Sequence, residues 1–297
     1  MAAKKEQVLA SRRYAKRSQG AEVWRRLRKN KGAMLGLLII LVIIAIAVLS
    51  GFLLDYETDV IGQNITQRLQ HPSREHPLGT DNTGRDVMFR IFYGARYSLS
   101  IGVASVLIAL VIGVTLGVVA GYYGGVVSEV IMRLSDAVAS IPSILMAIAI
   151  VSALGQSMFN LMLAVGVTSV PQFVRITHAA TLTVRNQEYV EAARCLGLRE
   201  WQIICFHVLP NCLSPIIVQT TLRVASAIIS ASSLSFLGLG VPAPTPEWGG
   251  MLSAGRKYIR GYSYLTLFPG LAIMITVLAL NLLGDGLRDA LDPKLKR

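Results

Sequence analysis

One stretch without charge restricts the fold of this chain more than any other feature. The 38 residues from Ala137 to Val174 contain no Asp, Glu, Lys or Arg, and further long apolar runs lie on both sides. An apolar run of about 20 residues matches the hydrocarbon thickness that a helix crosses in a bilayer. Only 15% of all residues are charged, against about a quarter in soluble domains. The sequence therefore predicts an integral membrane protein.

Six helical spans are predicted from the apolar runs. The uncharged stretch is too long for one crossing, and residues 155–157 (Gly-Gln-Ser) offer a break within it. The predicted spans cover residues 34–54, 98–122, 137–154, 159–176, 212–238 and 265–284. We expect an all-α integral membrane fold with six transmembrane helices, in which a basic cytoplasmic segment (1–33) precedes one transmembrane domain (34–297).

The positive charges orient the predicted helices. Eleven of the 29 Lys and Arg residues fall in residues 1–33, ahead of the first span. With the N-terminus inside, 20 lie in cytoplasmic segments and eight in outer segments, and Arg223 alone lies within a span. Cytoplasmic loops of membrane proteins carry this excess, so both termini are predicted to be cytoplasmic. The net charge of +12 is explained by this placement, and no nucleic-acid partner is expected.

No catalytic, nucleotide or metal site is expected in this chain. A phosphate-binding Walker A loop requires a Gly-Lys pair, which the sequence lacks, and the HExxH and GxSxG motifs are also missing. Cys195, Cys205 and Cys212 are odd in number and without paired spacing, and Cys205 with His207 makes too few ligands for a metal. Any work done at this protein would take its energy from another protein.

Two spans carry patterns beyond hydrophobicity. Gly113, Gly117 and Gly121 form a GxxxGxxxG series, which allows another helix to approach closely. Packing within the protein is the first interpretation, and a subunit interface is the alternative. The fifth span has a polar stripe at helical spacing, made of Gln219, Arg223, Ser226, Ser230 and Ser233. An arginine within a span usually faces water, a partner charge or a substrate path, so a translocation path, a structural ion pair and a snorkelling side chain all remain open.

A polar segment at residues 188–211 interrupts the apolar sequence on the cytoplasmic side. It reads as a short helix with Tyr189, Ala192, Ala193 and Leu196 on one stripe, then Gly197 where a left-handed residue ends a helix. A second amphipathic helix follows, with Trp201, Ile204, Cys205 and Val208 on one face, and Pro210 marks the entry to the next span. Two helices bent at a glycine predict a protruding knob, which either covers the end of the bundle or binds a partner.

The central segment resembles the EAA loop of ABC-importer permeases. "EAARCLG" followed by "HVLP" matches that motif in spacing, with His207 where the family usually has isoleucine. The matching residues are Glu191, Ala192, Ala193, Gly197, Leu209 and Pro210. The resemblance implies that these residues couple the chain to an ATPase. The departure at His207 affects only the packing of the second helix.

Three further stretches extend the resemblance over nearly the whole chain after its N-terminal segment. Residues 78–99, 235–252 and 281–296 are similar to the C-type permease of the dipeptide, oligopeptide, nickel and glutathione importers. The family pairs two homologous permeases in the bacterial inner membrane, with two cytoplasmic ATPases below and an extracytoplasmic binding protein that delivers a peptide or related small solute. ATP and magnesium would belong to the ATPases, and this chain would hold no cofactor.

Two segments on the predicted outer side carry further patterns. Residues 81–84 (Asp-Asn-Thr-Gly) form a turn and cap cluster, and the next residues predict an amphipathic helix on the outer membrane surface, basic side outward. The resemblance makes this a candidate contact for the binding protein, through Asp81, Gly84, Arg85, Asp86 and Arg90. The proline-rich loop 241–250 is predicted to be stiff, with Trp248 at the membrane interface, either as a cap over the path or as a scaffolded turn.

The function expected is that of a permease subunit of an ATP-driven importer for dipeptides or oligopeptides. Import of nickel complexes or glutathione is the alternative within the family. From other classes, a membrane receptor or scaffold that only recruits a cytosolic partner, and a channel, also fit the bare composition.

Overall fold

The computed structural model describes residues 19–291, and this part of the chain is helical without a β-strand. Two helices on the N-terminal side, α1 and α2, precede the long helix α3. The helices are α1 (Gln19–Leu27), α2 (Lys31–Leu53), α3 (Val87–Tyr123), α4 (Gly125–Ser140), α5 (Ser143–Leu154), α6 (Met158–Arg185), α7 (Glu188–Cys195), α8 (Glu200–Ile203), α9 (Leu209–Phe236), α10 (Trp248–Gly255) and α11 (Tyr264–Leu291).

Five helices in the described range are long and apolar enough to cross a membrane: α2, α3, α6, the continuous α8–α9 helix, and α11. A sixth crossing exists if α4 and α5 are counted as one, but these two helices are bent by 87° at their junction. Residues 137–154, predicted as the third span, therefore comprise the last turn of α4, the bend and α5. Ile141 adopts an extended backbone because the following Pro142 disfavours the helical conformation at the residue before it.

The helix α3 is longer than its predicted span and absorbs the predicted surface helix. It has 37 residues and begins at Val87, where the Asp86 carboxylate accepts hydrogen bonds from the amides of Met88 (2.7 Å) and Phe89 (3.1 Å). No separate helix rests on the outer surface at 85–96, and that prediction is wrong. The apolar face formed by Val87 and Ile91 packs instead against Tyr264 and Leu265 at the start of α11.

The glycine series of α3 packs against α6, which confirms the interpretation as packing within the protein. A Cβ atom on Gly117 would lie 2.7 Å from the Cβ of Thr177 and 2.7 Å from the carbonyl oxygen of Val174. A Cβ on Gly121 would lie 2.6 Å from the Cβ of Thr181. Bare backbone on α3 thus lets the two helices approach more closely than any side chain would permit.

The first span lies at the edge of the bundle. One face of α2 packs against α11, where a Cβ on Gly36 would lie 3.0 Å from the Cβ of Leu282. The exposed side chains of α2 include Leu35, Leu38, Leu41, Phe52 and Leu53. A face this apolar is expected to contact lipid.

Candidate functional site

The segment 188–211 is bent at Gly197, as the sequence predicts. The helix α7 ends with a hydrogen bond from the Gly197 amide to the carbonyl of Arg194 (2.9 Å), and another runs from Leu198 to Ala193 (3.3 Å). Gly197 has a φ of +76°, a conformation that glycine adopts without the steric penalty of a Cβ. The glycine lies in open space, so its backbone conformation, and not a close neighbour, explains the residue type.

The second half of the segment is not a separate helix, contrary to the sequence interpretation. The α8 helix runs through Ile204–Val208 into α9, and Glu200–Phe236 forms one continuous helix of 37 residues. Pro210 lies at the start of α9 and does not interrupt the helix. Leu209 is half-buried and Pro210 exposed. Both residues lie where segment 188–211 continues into the fifth span.

The segment buries only a few of the residues on its two predicted stripes. Val190, Ala193, Ile203 and Val208 are buried and pack with Cys212 and Ile216 of α9 in one cluster. Of these four, Ala193 and Val208 belong to the predicted stripes. The other stripe residues are exposed or half-buried: Tyr189, Ala192, Leu196, Trp201, Ile204 and Cys205. The sequence pattern placed residues on common stripes but did not indicate which stripe faces the bundle.

A patch of exposed apolar side chains results, and sequence reasoning missed its role. Leu196 is 82% exposed, Phe206 67% and Trp201 54%, and the Trp201 and Phe206 rings lie 6.3 Å apart between centroids. Glu191 and Gly197 are exposed on the same segment. We call Tyr189, Leu196, Trp201 and Phe206 the apolar patch. Large exposed apolar side chains beside an acidic residue are typical of a protein–protein contact.

The segment is tied to the ends of the neighbouring helices. The Arg194 guanidinium lies 5.1 Å from the centroid of the Tyr122 ring, and the Arg185 guanidinium donates a hydrogen bond to the carbonyl of Gly121 (2.8 Å). Both contacts join the segment or its approach to the end of α3. These contacts connect α7 and the end of α6 to the end of α3.

The polar stripe lies on one face of α9, as predicted. Its hydrogen bonds and ion pairs bear on the three interpretations of the stripe, which are a translocation path, a structural ion pair and a snorkelling side chain. The hydroxyls of Ser226 and Ser233 donate to carbonyls of their own helix, Leu222 (3.3 Å) and Ile229 (2.8 Å), so they do not bond to a neighbouring helix. Within residues 19–291, no carboxylate lies within 4.0 Å of Arg223 to form an ion pair. Arg223 and Gln219 are half-buried, and Ser226 and Ser230 are exposed.

Asp81 organises the turn before α3, in a segment predicted to lie on the outer side. Its carboxylate accepts hydrogen bonds from the Thr83 amide and hydroxyl (both 2.8 Å) and from Nε of Arg85 (2.7 Å). Burial would raise the pKa of Asp81, but the nearby charges of Arg85 and Arg90 outweigh it and hold the pKa below its usual value. Gly84 is buried with a φ of +79°, so this turn requires glycine. The turn and cap cluster predicted here is present.

Three of the five residues proposed to contact a binding protein are buried: Gly84, Asp86 and Arg90. Arg90 is 5% exposed and donates to the carbonyls of Val60 (2.9 Å) and Pro244 (3.2 Å), so the prediction that its charge points outward is wrong. Asp86 is 7% exposed and lies 2.8 Å from Nδ1 of His76. A buried guanidinium is stabilised when its donors are satisfied, and here it joins three outer segments.

The proline-rich outer loop is anchored at its end by two buried residues. Trp248 is 2% exposed and its ring nitrogen donates to the carbonyl of Ile91 (3.0 Å), so its predicted position at the membrane interface is wrong. Glu247 is 1% exposed and accepts hydrogen bonds from the amides of Gly249 (2.8 Å) and Gly250 (2.7 Å). Burial raises the pKa of Glu247, although these two bonds act in the opposite direction.

A cavity of about 420 Å³ lies between the Asp81 turn, the outer loop and α10. Its lining includes Asp81, Arg85, Arg90, Arg256 and Lys257. The three groups of candidate residues thus lie in three separate parts of the fold: segment 188–211 before and into α9, the polar stripe along α9, and the Asp81 turn before α3.

The chain matches two family models and several characterised relatives. Residues 113–297 match the model described as "Binding-protein-dependent transport system inner membrane component", and residues 18–72 match the "N-terminal TM domain of oligopeptide transport permease C". The dipeptide transport system permease protein DppC of Alkalihalophilus pseudofirmus is 46% identical over 95% of this chain and 92% of its own length. The glutathione transport system permease protein GsiD of Pectobacterium atrosepticum is 44% identical, over 94% and 93%.

The fold is also similar to a solved structure. An inward-facing conformation of the MetNI methionine ABC transporter superposes with a TM-score of 0.57, at 18% sequence identity. The match covers 69% of this chain and 98% of that chain. At this level of identity the similarity concerns the fold of the helical bundle.

Proposed function

The chain belongs to the permease family of binding-protein-dependent ABC importers, in its dipeptide and oligopeptide group, and from this premise we propose that it forms the translocation path of a peptide importer. Small peptides are the proposed solutes because relatives that match over almost their full length are named for dipeptides or di- and tripeptides. Glutathione is the second candidate, favoured by the relative at 44% identity that is named for glutathione transport.

The energy for transport comes from partner subunits in this proposal. The permease family is not itself the ATPase, and ATP with magnesium would bind to two cytoplasmic ATPase subunits. A second homologous permease would complete the path, and an extracytoplasmic binding protein would deliver the solute to the outer turn. Both termini would be cytoplasmic in the bacterial inner membrane, since most Lys and Arg then lie inside.

The apolar patch beside Glu191 is the observation that supports ATPase coupling. The patch projects from a bent segment whose buried side chains are packed into the bundle, so a partner that grips it would move α7 and α9 together. Coupling requires that this contact be stronger in one arrangement of the ATPases than in the other, because a contact of equal strength shifts no equilibrium. Ala192, Gly197, Leu209 and Pro210 would shape the same contact.

The arginine and serines of α9 are proposed to line the path. Arg223 has no ion-pair partner within the described chain, and a charge within a span rarely faces lipid. The stripe from Gln219 to Ser233 would then offer hydrogen bonds to a polar solute at successive turns of one helix. This favours a transporter over a receptor or scaffold, which needs no polar stripe within a span.

Glu191→Lys tests the coupling segment. We expect the variant to reach the membrane but to lose peptide uptake and co-purification of the ATPases, because reversing the charge beside the apolar patch replaces an attraction by a repulsion. Glu129→Lys is the matched control, since Glu129 is also an exposed acidic side chain but lies on α4. Uptake by the Glu191 variant equal to that of the control would remove the docking role.

A transport assay separates the proposed solutes. Cells that lack this gene, and the same cells with it restored, are supplied with dialanine, a tripeptide, glutathione and a nickel complex in parallel. Restoration of dialanine uptake is the expected outcome. If the gene restores none of these activities while the protein is present in the membrane, a receptor or scaffold becomes the better interpretation.

A further inference from the structure

The outer cavity is a built, positively charged site. Five charged residues line it: the cations Arg85, Arg90, Arg256 and Lys257, and a single carboxylate, Asp81. That carboxylate is already engaged by Arg85 at 2.7 Å, with Arg90 at 3.7 Å. The cavity therefore holds more positive charge than its own acid can balance, and its volume of about 420 Å³ falls in the range of small-ligand pockets.

The Asp81 carboxylate holds one edge of the Arg85 guanidinium in place. The Arg85 side chain is only 10% exposed, and Nε donates to the Asp81 carboxylate. In the described part of the chain, Nη1 and Nη2 of Arg85 form no hydrogen bond, whereas both Nη atoms of neighbouring Arg90 bond to carbonyls. A guanidinium fixed through one edge presents its remaining donors as a rigid planar fork, which fits a carboxylate in two-point contact.

Two further cations lie at the rim of the cavity. Lys257 and Arg256 are exposed, and the Arg256 guanidinium lies 5.2 Å from the centroid of the Phe236 ring. In residues 19–291, neither forms an ion pair within 4.0 Å. Their charges attract an anion towards the cavity, and they do not hold the fold together as Arg90 does.

We propose that this outer cavity is a carboxylate-binding site, in which Arg85 binds the carboxylate and Arg256 and Lys257 attract it at the rim. The site rests on the proposed function and refines it. The carboxylate has two sources: the free C-terminus of a peptide solute, or an acidic side chain of the delivering protein. Either source requires the same two-point contact with Arg85.

The test uses the complete importer in lipid nanodiscs, with this chain, its partner permease and the ATPases. Binding of dialanine and of dialanine amide, which lacks the carboxylate, is measured without the binding protein. Binding of the solute-loaded binding protein is measured separately at low and high salt. The variants are Arg85→Gln, the rim double variant Arg256→Gln with Lys257→Gln, and the control Arg260→Gln, an exposed arginine that does not line the cavity.

Arg85→Gln is expected to weaken binding roughly tenfold or more, as for the loss of a charge-assisted hydrogen bond. The rim variant should weaken binding less and reduce its salt dependence. A loss confined to dialanine, with dialanine amide unaffected, identifies the solute as the source. A loss confined to the binding protein identifies its acidic side chain. The rim variant keeps the proposal testable if Arg85→Gln fails to assemble.

The carboxylate site would be overturned if Arg85→Gln bound both dialanine and the solute-loaded binding protein as the wild type does. If only the rim variant assembles, the same result for that variant would overturn it. The proposed function has a separate criterion, which is dialanine uptake by the wild-type importer. Normal wild-type uptake with unaffected variants rejects the cavity alone, whereas absent wild-type uptake rejects the choice of peptide as solute.

Discussion

The buried arginine Arg90 joins segments that are distant in the sequence. Arg90 joins residues 30 and 154 positions away along the chain, and no local pattern signals such partners. Its burial was therefore not predictable from the sequence, which placed it on a basic outer face. Gly197 was predictable, because the left-handed turn that ends α7 depends only on neighbouring backbone.

Glu247 gives a pH-dependent prediction. Burial raises its pKa, so the folded protein binds this proton more tightly than the unfolded chain does. The contribution of Glu247 to stability therefore decreases as the pH rises above the usual carboxyl range towards the folded-state pKa. We expect the melting temperature of wild type, relative to Glu247→Gln, to fall as the pH is raised above the usual carboxyl range.

The measurement is the thermal unfolding of both proteins in the same detergent at a series of increasing pH values. Glu57→Gln serves as the control, because it removes a carboxylate at an exposed position instead of a buried one. A difference between wild type and Glu247→Gln that stays constant with pH would contradict the raised pKa.

At the scale of helices, hydropathy predicted the existence of the spans better than their ends. The second span was expected over 98–122, because the charges of Arg90 and Arg96 suggested that the apolar helix begins after them. The helix begins instead at Val87, since buried and hydrogen-bonded Arg90 lies within it. The third was expected over 137–154, and a bend of 87° at Pro142 divides it between two helices. Hydropathy averages over this proline, whose local effect on Ile141 breaks the helix.

The contact between α3 and α6 gives a prediction for Gly117→Leu. A Cβ there would already lie within 2.7 Å of α6, so the larger side chain must separate the helices, at a cost of about 1–3 kcal/mol or more. We expect a lower melting temperature and less protein in the membrane. Gly261→Leu is the matched control because a Cβ at Gly261 meets nothing within 4 Å; equal losses in both variants would contradict close packing at Gly117.

For the whole molecule, the sequence predicted the residues of segment 188–211, of the polar stripe and of the turn before α3. It did not predict which of their side chains are exposed. The motif at 188–211 predicts a coupling segment, but it did not predict the apolar patch, which depends on Val190, Ile203 and Val208 being buried. The exposed sides of Leu196 and Phe206 depend on how α7 sits against α9. That arrangement involves contacts with Tyr122 and Ile216, which lie in other helices.

Arg223→Ala tests the path at this scale. We expect uptake to fall at least roughly tenfold, as for the loss of a charged hydrogen-bonding group, while the ATPases still co-purify. Arg133→Ala is the control, because Arg133 is exposed and lies outside α9. Normal uptake with impaired folding would instead assign Arg223 a structural role, through a partner in another subunit.

The unbroken helix from Glu200 to Phe236 has a mechanical consequence. At 1.5 Å per residue it is a rod of about 55 Å, with Trp201 and Phe206 near one end, Arg223 in its middle, and Phe236 beneath Arg256 at the other. The helix contains a π-helical turn at Ile204–Val208 and an internal proline, Pro215, yet it links the apolar patch to the polar stripe without a break. We expect a displacement of Trp201 and Phe206 to be passed along this helix to Arg223, and from its far end to Arg256.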